Sequence, residues 1–314
     1  MSRPTSSRDP PTVTNRPQLV VCVGAAKAGT TSLYALMRQH PRVAVTRSKE
    51  TDFFFDRDRY SRGCNDYWDN HFEHKPGATT YFEADPIYMY ADGCIGRIRD
   101  CAPDARLVVM LRNPVDRAYS QYLYRMLYAR YEESFVEMCE READRIRLGA
   151  KERLEYGCLD RSLYAPQIRN IFMHFPRERV HFVVFERFVQ DQSRDFGELL
   201  SWLGLAPMNI TPVRENARSS ARSVWLARLM YHPGYRSLRG LLGGMLPPGV
   251  RRSLFERMAD ANRAELRDDV AAGLDPELRR NLLERFRADV ADVEQLTGLD
   301  LGLWFEPARV AAAL

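Results

Sequence analysis

The segment from residue 19 to residue 33 constrains the fold more than any other part of the sequence. Residues 19–23 are apolar, which predicts a buried strand. Gly24 and Gly29 then bound a tight loop, and Thr30 opens a helical pattern. Unpaired backbone N–H groups and the helix dipole at such a junction both point at a bound anion. The segment therefore predicts a phosphate-binding loop.

The spacing of this loop differs from a Walker A loop at one position. Gly24 and Gly29 occupy the two glycine positions, but Thr30 stands where the Walker lysine would follow. The lysine lies inside the loop, at Lys27, where it can reach one phosphate and its bridging oxygen. Glycine turns also follow strands in α/β proteins that bind no nucleotide, so the loop alone leaves that alternative open.

A second segment, residues 107–120, places an arginine at the end of a strand. Residues 107–111 are apolar, Arg112 follows them, and Pro114 suits the first position of a helix that carries Ser120 about two turns along. An arginine can hold a phosphate with two N–H groups, and ligands of α/β sheets bind at the carboxyl ends of the strands. A Walker B strand would end in aspartate, so this pattern argues against a magnesium-dependent nucleoside triphosphatase.

Strand and helix patterns alternate as far as residue 204, which predicts an α/β fold with a central, mainly parallel sheet flanked by helices. Further strands are expected at residues 42–46, 79–83 and 180–185. No strand is expected after Asn216. A chain of 314 residues can form one large domain. We expect a disordered leader over 1–17, a single domain over 18–305 with a helical insertion over 223–272, and a tail over 306–314.

Composition limits the partners of the chain. A net charge of +4 is too small for a general nucleic-acid binder, and no apolar run is long enough for a membrane span. The polar N-terminus lacks the apolar segment of a secretory signal. The cysteines are scattered without a C-x-x-C pattern, so we expect free thiols in a reducing cytoplasm. The six are Cys22, Cys64, Cys94, Cys101, Cys139 and Cys158.

The motifs K-A-G-T-T-S at 27–32 and L-R-N-P-V-D-R-A-Y-S at 111–120 resemble the two cofactor-binding motifs of sulfotransferases. These enzymes use 3′-phosphoadenosine 5′-phosphosulfate (PAPS), and the similarity is closest to the heparan-sulfate branch and its bacterial relatives. The resemblance implies a P-loop-like sulfotransferase fold, with the 5′-phosphosulfate in the first motif and the 3′-phosphate in the second. The residues implied are Lys27, Ala28, Gly29, Thr30, Thr31 and Ser32 for the first site, and Arg112 and Ser120 for the second.

Two further segments share this resemblance. Residues 49–54 resemble a K-E-x-x-F-F motif, which implies that Glu50 is the general base. Asp52 is the nearest substitute, and Lys49 either contacts the sulfuryl group or pairs with Glu50. Residues 161–164 resemble a G-x-Y segment near the adenosine, which implies a cofactor contact for Tyr164, although serine replaces the glycine.

The chemistry of sulfuryl transfer suits these residues. Transfer is in-line with charge building on the leaving oxygen, which Lys27 can stabilise, while Glu50 can accept the proton of the acceptor. The sequence therefore predicts a PAPS-dependent sulfotransferase without a metal, acting on a hydroxyl, or as second choice an amine, of a small molecule or glycan. A small-molecule kinase using ATP and a nucleotide-binding protein without turnover stay open as alternatives, and the oligomeric state is not indicated.

Several other residues have weaker patterns. The phenylalanines at 53–55 are expected in the core rather than against the substrate. His71 and His74 are spaced like helical metal ligands, but a surface pair is favoured. Arg218 and Arg222 either contact a phosphate or are solvent-exposed charges on a helix, and the sequence favours neither alternative. Residues 56–78 and 223–272 are expected to shape the acceptor pocket.

Overall fold

Five strands form one parallel sheet in the order β2–β3–β1–β4–β5. The computed structural model describes residues 16–127, 133–213, 220–221, 263–264 and 274–306. The strands are β1 Gln18–Gly24, β2 Val43–Val45, β3 Thr80–Ala84, β4 Arg106–Leu111 and β5 Val180–Val184. This sheet confirms the predicted α/β class with a central parallel sheet.

Helices alternate with the strands and cover the sheet. In the described part of the chain they are α1 Thr30–Gln39, α2 Arg57–Tyr60, α3 Cys64–Asn70, α4 Cys94–Cys101, α5 Pro114–Leu127, α6 Phe135–Ile146, α7 Ala150–Tyr156, α8 Tyr164–His174, α9 Phe185–Gln190, α10 Gln192–Leu203, α11 Pro276–Arg285 and α12 Arg287–Thr297. Short 3₁₀ turns lie at Asp160–Ser162, Arg177–Arg179 and Gly302–Trp304. None of these helices combines the length and the apolar character that a membrane crossing requires.

The central strands explain where a ligand can bind. Every residue of β1 after Gln18 is buried, as is every residue of β4 after Arg106, which is typical of parallel strands covered on both faces. Cys22 of β1 lies opposite both Ala84 of β3 and Val108 of β4, and the β1–β4 register shifts between Cys22 and Gly24. The segments that follow β1, β3, β4 and β5 therefore meet at one edge of the sheet.

The structure corrects one expectation about strands. Other expectations concern residues that it does not describe. Ser220–Ala221 (β6) and Arg263–Ala264 (β7) pair antiparallel, so the expectation of no strand after residue 216 is wrong. Two residues are too short to leave an alternating hydrophobic pattern, which explains the miss. Most of 223–272 and of 1–17 lies outside the described residues, and the domain boundaries stay predictions.

Cys64 and Cys101 form a disulfide, with their Cα atoms 5.3 Å apart. The expectation of six free thiols is therefore wrong for this pair. The bond joins the start of α3 to the end of α4 across 37 residues, a distance over which spacing in the sequence gives no signal. Cys22, Cys94, Cys139 and Cys158 are free.

Reduction of this disulfide is expected to lower the melting temperature by several degrees. Closing a loop of 37 residues stabilises a protein by about 4 kcal/mol in the chain-entropy model. Thiol titration of the denatured, unreduced protein should find four thiols, and calorimetry with and without reductant should show the shift. Six thiols would contradict the bond. The double variant Cys64→Ser, Cys101→Ser is the control, because reductant should not change its melting temperature.

Candidate active site

The loop between β1 and α1 borders a cavity of about 700 Å³. Gly29 precedes α1 with φ +88, a left-handed conformation that favours glycine, and a Cβ there would lie 2.9 Å from the Phe185 ring. The first N–H groups of α1 have no carbonyl within the helix to bond. Thr30, Thr31 and Ser32 line the cavity beside them. The predicted anion cradle is thus present as a loop and a helix start that open into one cavity.

Arg112 lies beside this loop. Its guanidinium donates to the backbone carbonyl of Lys27 at 2.9 Å and lies over the Phe185 ring, 4.6 Å from the centroid. Its own backbone carbonyl accepts a hydrogen bond from the Tyr164 hydroxyl at 2.9 Å. The side chain is 8% exposed, so it is held in place but still lines the cavity.

Asn113 connects the end of β4 to the C-terminal part of the chain. Its side-chain carbonyl accepts from the N–H groups of Val115 and Asp116, which caps α5. Its side-chain amide donates to the carbonyl of Trp304 at 3.0 Å. Glu186 accepts from the Asn113 backbone at 2.8 Å and from the Trp304 indole at 2.9 Å. These bonds fix the direction in which α5 leaves the sheet.

Arg117 supports the loop from beneath and was not singled out from the sequence. It is fully buried, and its guanidinium donates to the Ala26 carbonyl at 3.3 Å and the Gln121 side chain at 2.7 Å. It also donates to the Ser162 hydroxyl at 2.6 Å and to the Cys158 carbonyl. All of these partners are uncharged oxygens, so the positive charge of Arg117 adds to the potential around the loop.

Lys27 faces the cavity in an electropositive setting. Its ammonium lies 4.3 Å from the centroid of the Tyr124 ring. Burial, followed by the charges of Arg112, Arg117 and Lys49, lowers the pKa of Lys27 to about 8. An anion placed here would relieve this repulsion, and the site is therefore suited to a phosphate.

Three carboxyl groups, on Glu50, Asp52 and Asp85, also line the cavity. Glu50 is half exposed and pairs with Lys49 at 2.7 Å. A contact of Lys49 with the sulfuryl group stays a prediction. The N–H of Asp52 donates to the Asp85 carboxyl at 2.9 Å. Burial, then the charge of Glu83, raises the pKa of Asp85 to about 8. Glu50 and Asp52, each about half exposed, are thus the carboxylates that reach the cavity with solvent around them.

A buried glutamate holds the segment that carries Glu50. Glu83 accepts hydrogen bonds from the Tyr67 hydroxyl at 2.6 Å, from the Tyr88 hydroxyl at 2.9 Å and from the hydroxyl of Thr51. Thr51 directly follows Glu50, so this network fixes where the base candidate leaves the backbone. A lone glutamate in an otherwise apolar strand was the available signal, and sequence reasoning passed over it.

Most of the predicted site residues are brought together. Those that line the cavity are Lys27, Gly29, Thr30, Thr31, Ser32, Lys49, Glu50, Arg112 and Ser120. Ala28 and Tyr164 are not among the lining residues: both are fully buried, Ala28 within the loop and Tyr164 against the Arg112 backbone. Their roles as cofactor contacts stay predictions, and the observed position of Tyr164 favours support of Arg112.

The cavity also contains residues that the sequence reasoning missed. Asp85 and Phe185 directly follow β3 and β5, so the strand-end argument used for Arg112 would have found them. Tyr124 lies four residues after Ser120 on the same face of α5. Gln121, Arg125 and Arg161 complete this side of the cavity.

The remaining candidates that the structure describes are not among the residues lining the cavity. Phe53 and Phe54 are buried as expected, and Phe55 is 37% exposed. His71 lies 3.6 Å from Asp66 and packs against the Phe53 ring. Within the described ranges, no three potential ligands cluster in a way that could hold a metal ion. Arg218 and Arg222 lie outside the described residues.

Residues 17–223 match the family model described as "Sulfotransferase domain". The chain is 32% identical over 189 residues to heparan sulfate glucosamine 3-O-sulfotransferase 6 of Mus musculus, covering 60% of this chain and 52% of that protein. It is 27% identical over 197 residues to bifunctional heparan sulfate N-deacetylase/N-sulfotransferase 3 of Homo sapiens, covering 59% of this chain and 22% of that protein. The chain thus spans about half, or less, of the length of these relatives.

A solved structure agrees with the fold. The crystal structure of a sulfotransferase from Alicyclobacillus acidocaldarius matches with a TM-score of 0.63 at 26% identity, over 93% of this chain and 99% of that one. This agreement confirms the P-loop-like sulfotransferase fold that the two motifs implied. Because the family match spans more than half of the chain and the fold agrees with a solved member, this chain belongs to the sulfotransferase domain family.

Proposed function

We propose that this protein transfers a sulfuryl group from PAPS to a hydroxyl group of an acceptor. One observation carries the proposal. A single cavity is lined by a phosphate loop with an internal lysine, by an arginine at a strand end and by an exposed carboxylate. Lys27, Arg112 and Glu50 are the three groups, and sulfuryl transfer needs one of each: a cation at the leaving oxygen, an anchor for the donor and a base for the acceptor.

The described residues fit a nucleotide with two separate anionic ends. The loop and the start of α1 offer backbone N–H groups and Lys27 to the 5′ end. Arg112 and Ser120 line the same cavity and are proposed for the 3′-phosphate. PAPS would supply the activated sulfuryl group. At Gly29, a side chain would collide with the Phe185 ring, so glycine keeps the loop open.

The chemical roles follow from charge and exposure. Lys27 stabilises the negative charge that develops on the leaving 5′-phosphate oxygen. Glu50 accepts the proton of the attacking hydroxyl. Lys49 pairs with Glu50 at 2.7 Å, and both side chains line the cavity. Asp85 is the less suitable base because two backbone N–H groups, of Asp52 and Ile87, already occupy its oxygens.

The acceptor proposed here is a glycan hydroxyl. The relative from Mus musculus is named a glucosamine 3-O-sulfotransferase of heparan sulfate, which is a transfer to a hydroxyl. The relative from Homo sapiens is named an N-sulfotransferase of heparan sulfate, which is a transfer to an amine. An amine is therefore the second choice, and a small-molecule hydroxyl the third. A cytoplasmic location also stays a proposal, and the Cys64–Cys101 disulfide counts against it, because structural disulfides are rare where thiols are kept reduced.

The product nucleotide 3′-phosphoadenosine 5′-phosphate (PAP) is expected to bind roughly 10- to 100-fold more tightly than 5′-AMP. The difference is the loss of charge-assisted hydrogen bonds to the 3′-phosphate. Calorimetry with PAP, 5′-AMP and ATP measures it. Arg112→Ala should remove the preference, whereas Arg169→Ala, which changes an exposed arginine paired with Asp292, should keep it. Equal affinity for PAP and 5′-AMP would contradict the proposal, and a preference for ATP would favour a kinase.

The affinity for PAP is also expected to fall as pH rises above about 8. The pKa of Lys27 is lowered to about 8 in the empty site, first by burial and then by nearby cations. A bound phosphate raises that pKa again, so binding takes up a proton, and affinity falls by up to roughly tenfold per pH unit above this value. Calorimetry in two buffers of different ionisation enthalpy detects the proton.

Two variants separate Lys27 from its surroundings in this experiment. Lys27→Arg keeps its charge throughout, so its affinity should stay flat above pH 8. The pKa of Asp85 is also raised to about 8, so its ionisation could cause a similar decline. Asp85→Asn removes that carboxyl, and its PAP affinity should still decline if Lys27 is the cause. A flat profile for the wild-type protein would contradict the assignment of Lys27.

A further inference from the structure

Asp52, two residues after the proposed base, has a left-handed backbone with φ +53. This conformation is uncommon for residues that carry a side chain, although aspartate adopts it more often than most. It persists where the surrounding structure fixes it, and it is concentrated at functional sites. The contacts that hold this turn therefore indicate what the turn is for.

The backbone N–H groups of residues 51–54 all donate to side chains. Successive N–H groups beside a left-handed residue form a concavity that suits an anion. Here the carboxyl groups of Glu83 and Asp85, at the end of β3, accept the first two bonds. The four bonds run from Thr51 to Glu83 at 3.3 Å, from Asp52 to Asp85 at 2.9 Å, from Phe53 to the Thr51 hydroxyl at 3.1 Å and from Phe54 to the Tyr88 hydroxyl at 3.4 Å.

Glu83 lies at the centre of this arrangement. Its carboxyl is fully buried, and its described hydrogen-bond partners are uncharged: the Thr51 N–H and the hydroxyls of Thr51, Tyr67 and Tyr88. Burial raises the pKa of Glu83, as expected for a carboxyl in the interior. Apolar groups of the same shape would serve stability about as well as these bonds. The network therefore points to a role in placing the turn.

Thr51 is the residue through which this network reaches Glu50. Thr51 is 2% exposed, its hydroxyl and N–H both bond to Glu83, and its carbonyl accepts from the Arg59 guanidinium. The Glu50 side chain, one residue earlier, is 53% exposed and lines the cavity. An exposed carboxylate on a loose backbone would sample many positions, whereas a fixed Thr51 restricts where the Glu50 carboxylate can lie.

We propose that Glu83 is a positioning residue, which fixes Thr51 and thereby holds Glu50 where it accepts the proton of the acceptor. Glu83 acts through Glu50 and is not among the residues that line the cavity. This inference rests on the proposed function and names the group that orients its base.

The test compares Thr51→Val with Thr51→Ser. Valine has the shape of threonine but cannot bond to Glu83 through a hydroxyl, whereas serine keeps the hydroxyl. Turnover is measured as PAP released from PAPS with an acceptor found by mass-spectrometric screening for sulfated products, and PAP affinity is measured by calorimetry. We expect kcat to fall about 10- to 100-fold for Thr51→Val, the usual cost of a misplaced catalytic group. Thr51→Ser should stay within threefold of the wild type, and PAP affinity within twofold for both variants.

Tyr122→Phe is the control for the loss of a buried hydroxyl. The Tyr122 hydroxyl donates to the Glu133 carbonyl at 2.9 Å, and Tyr122 is not among the residues that line the cavity. This variant should keep its turnover, whereas Tyr67→Phe, which removes a hydroxyl from Glu83, should lose part of it. Glu83→Gln should repeat the effect of Thr51→Val, and the threonine and tyrosine variants serve if Glu83→Gln does not fold.

A double-mutant cycle separates positioning from a general structural role. If Thr51 acts through Glu50, adding Thr51→Val to Glu50→Gln should lower kcat by less than about twofold further. An equal loss in both backgrounds would overturn the inference, and so would wild-type turnover of Thr51→Val or of Glu50→Gln. Those results would leave PAP binding and sulfuryl transfer by the wild type intact. Failure of the wild type to bind PAP or to transfer the sulfuryl group would overturn the proposed function, and this inference with it.

Discussion

Replacing Glu50 with glutamine is expected to lower the rate of sulfuryl transfer by about 100- to 10,000-fold, the usual effect of losing a general base. Glutamine keeps the shape of the side chain and cannot accept the proton. PAP affinity should change little, because the Glu50 carboxylate pairs with Lys49 rather than with the phosphate loop.

The measurement requires an acceptor, which mass-spectrometric screening for sulfated products with PAPS can supply. Turnover and PAP affinity are then compared for Glu50→Gln and for Asp52→Asn, whose carboxyl lines the same wall. Near-normal turnover of Glu50→Gln would move the role to Asp52 or Asp85. His71 is the weaker substitute, because it packs against Phe53 and is not among the lining residues.

Replacing Lys27 with alanine should damage both steps. Loss of a preorganised cation at the leaving oxygen costs about 100- to 1,000-fold in rate, and loss of a charge-assisted contact weakens PAP binding roughly 10- to 100-fold. Arg169→Ala is the control, since that exposed arginine pairs with Asp292, is not among the residues lining the cavity and should leave PAP affinity unchanged. A Lys27→Ala protein with normal turnover would remove the lysine from the mechanism.

The parts of the fold that could be predicted are those whose signal is local. Each of these signals occupies a short stretch of sequence. They are the apolar runs of β1 and β4, the two glycines that bound the loop and the arginine that directly follows β4. Parallel strands that are buried on both faces produce continuous apolar runs, which are easy to detect. The rule that ligands bind at strand ends then placed Lys27 and Arg112 in one cavity.

The parts that could not be predicted depend on distant residues meeting in space. Arg117 reaches Cys158 and Ser162, which lie more than forty residues further along the chain. The Cys64–Cys101 bond joins two helices that no spacing rule connects.

The cations around the cavity affect more than catalysis. Arg117 is buried beside Lys27 and Arg112, and its described hydrogen bonds go only to uncharged oxygens. Self-repulsion of this kind weakens the folded state when the cavity is empty. A bound nucleotide at 100 times its Kd stabilises a protein by about 2.7 kcal/mol through mass action. The amount of folded protein in a cell would then follow the supply of its own donor, and a shortage of sulfate would reduce enzyme abundance as well as product.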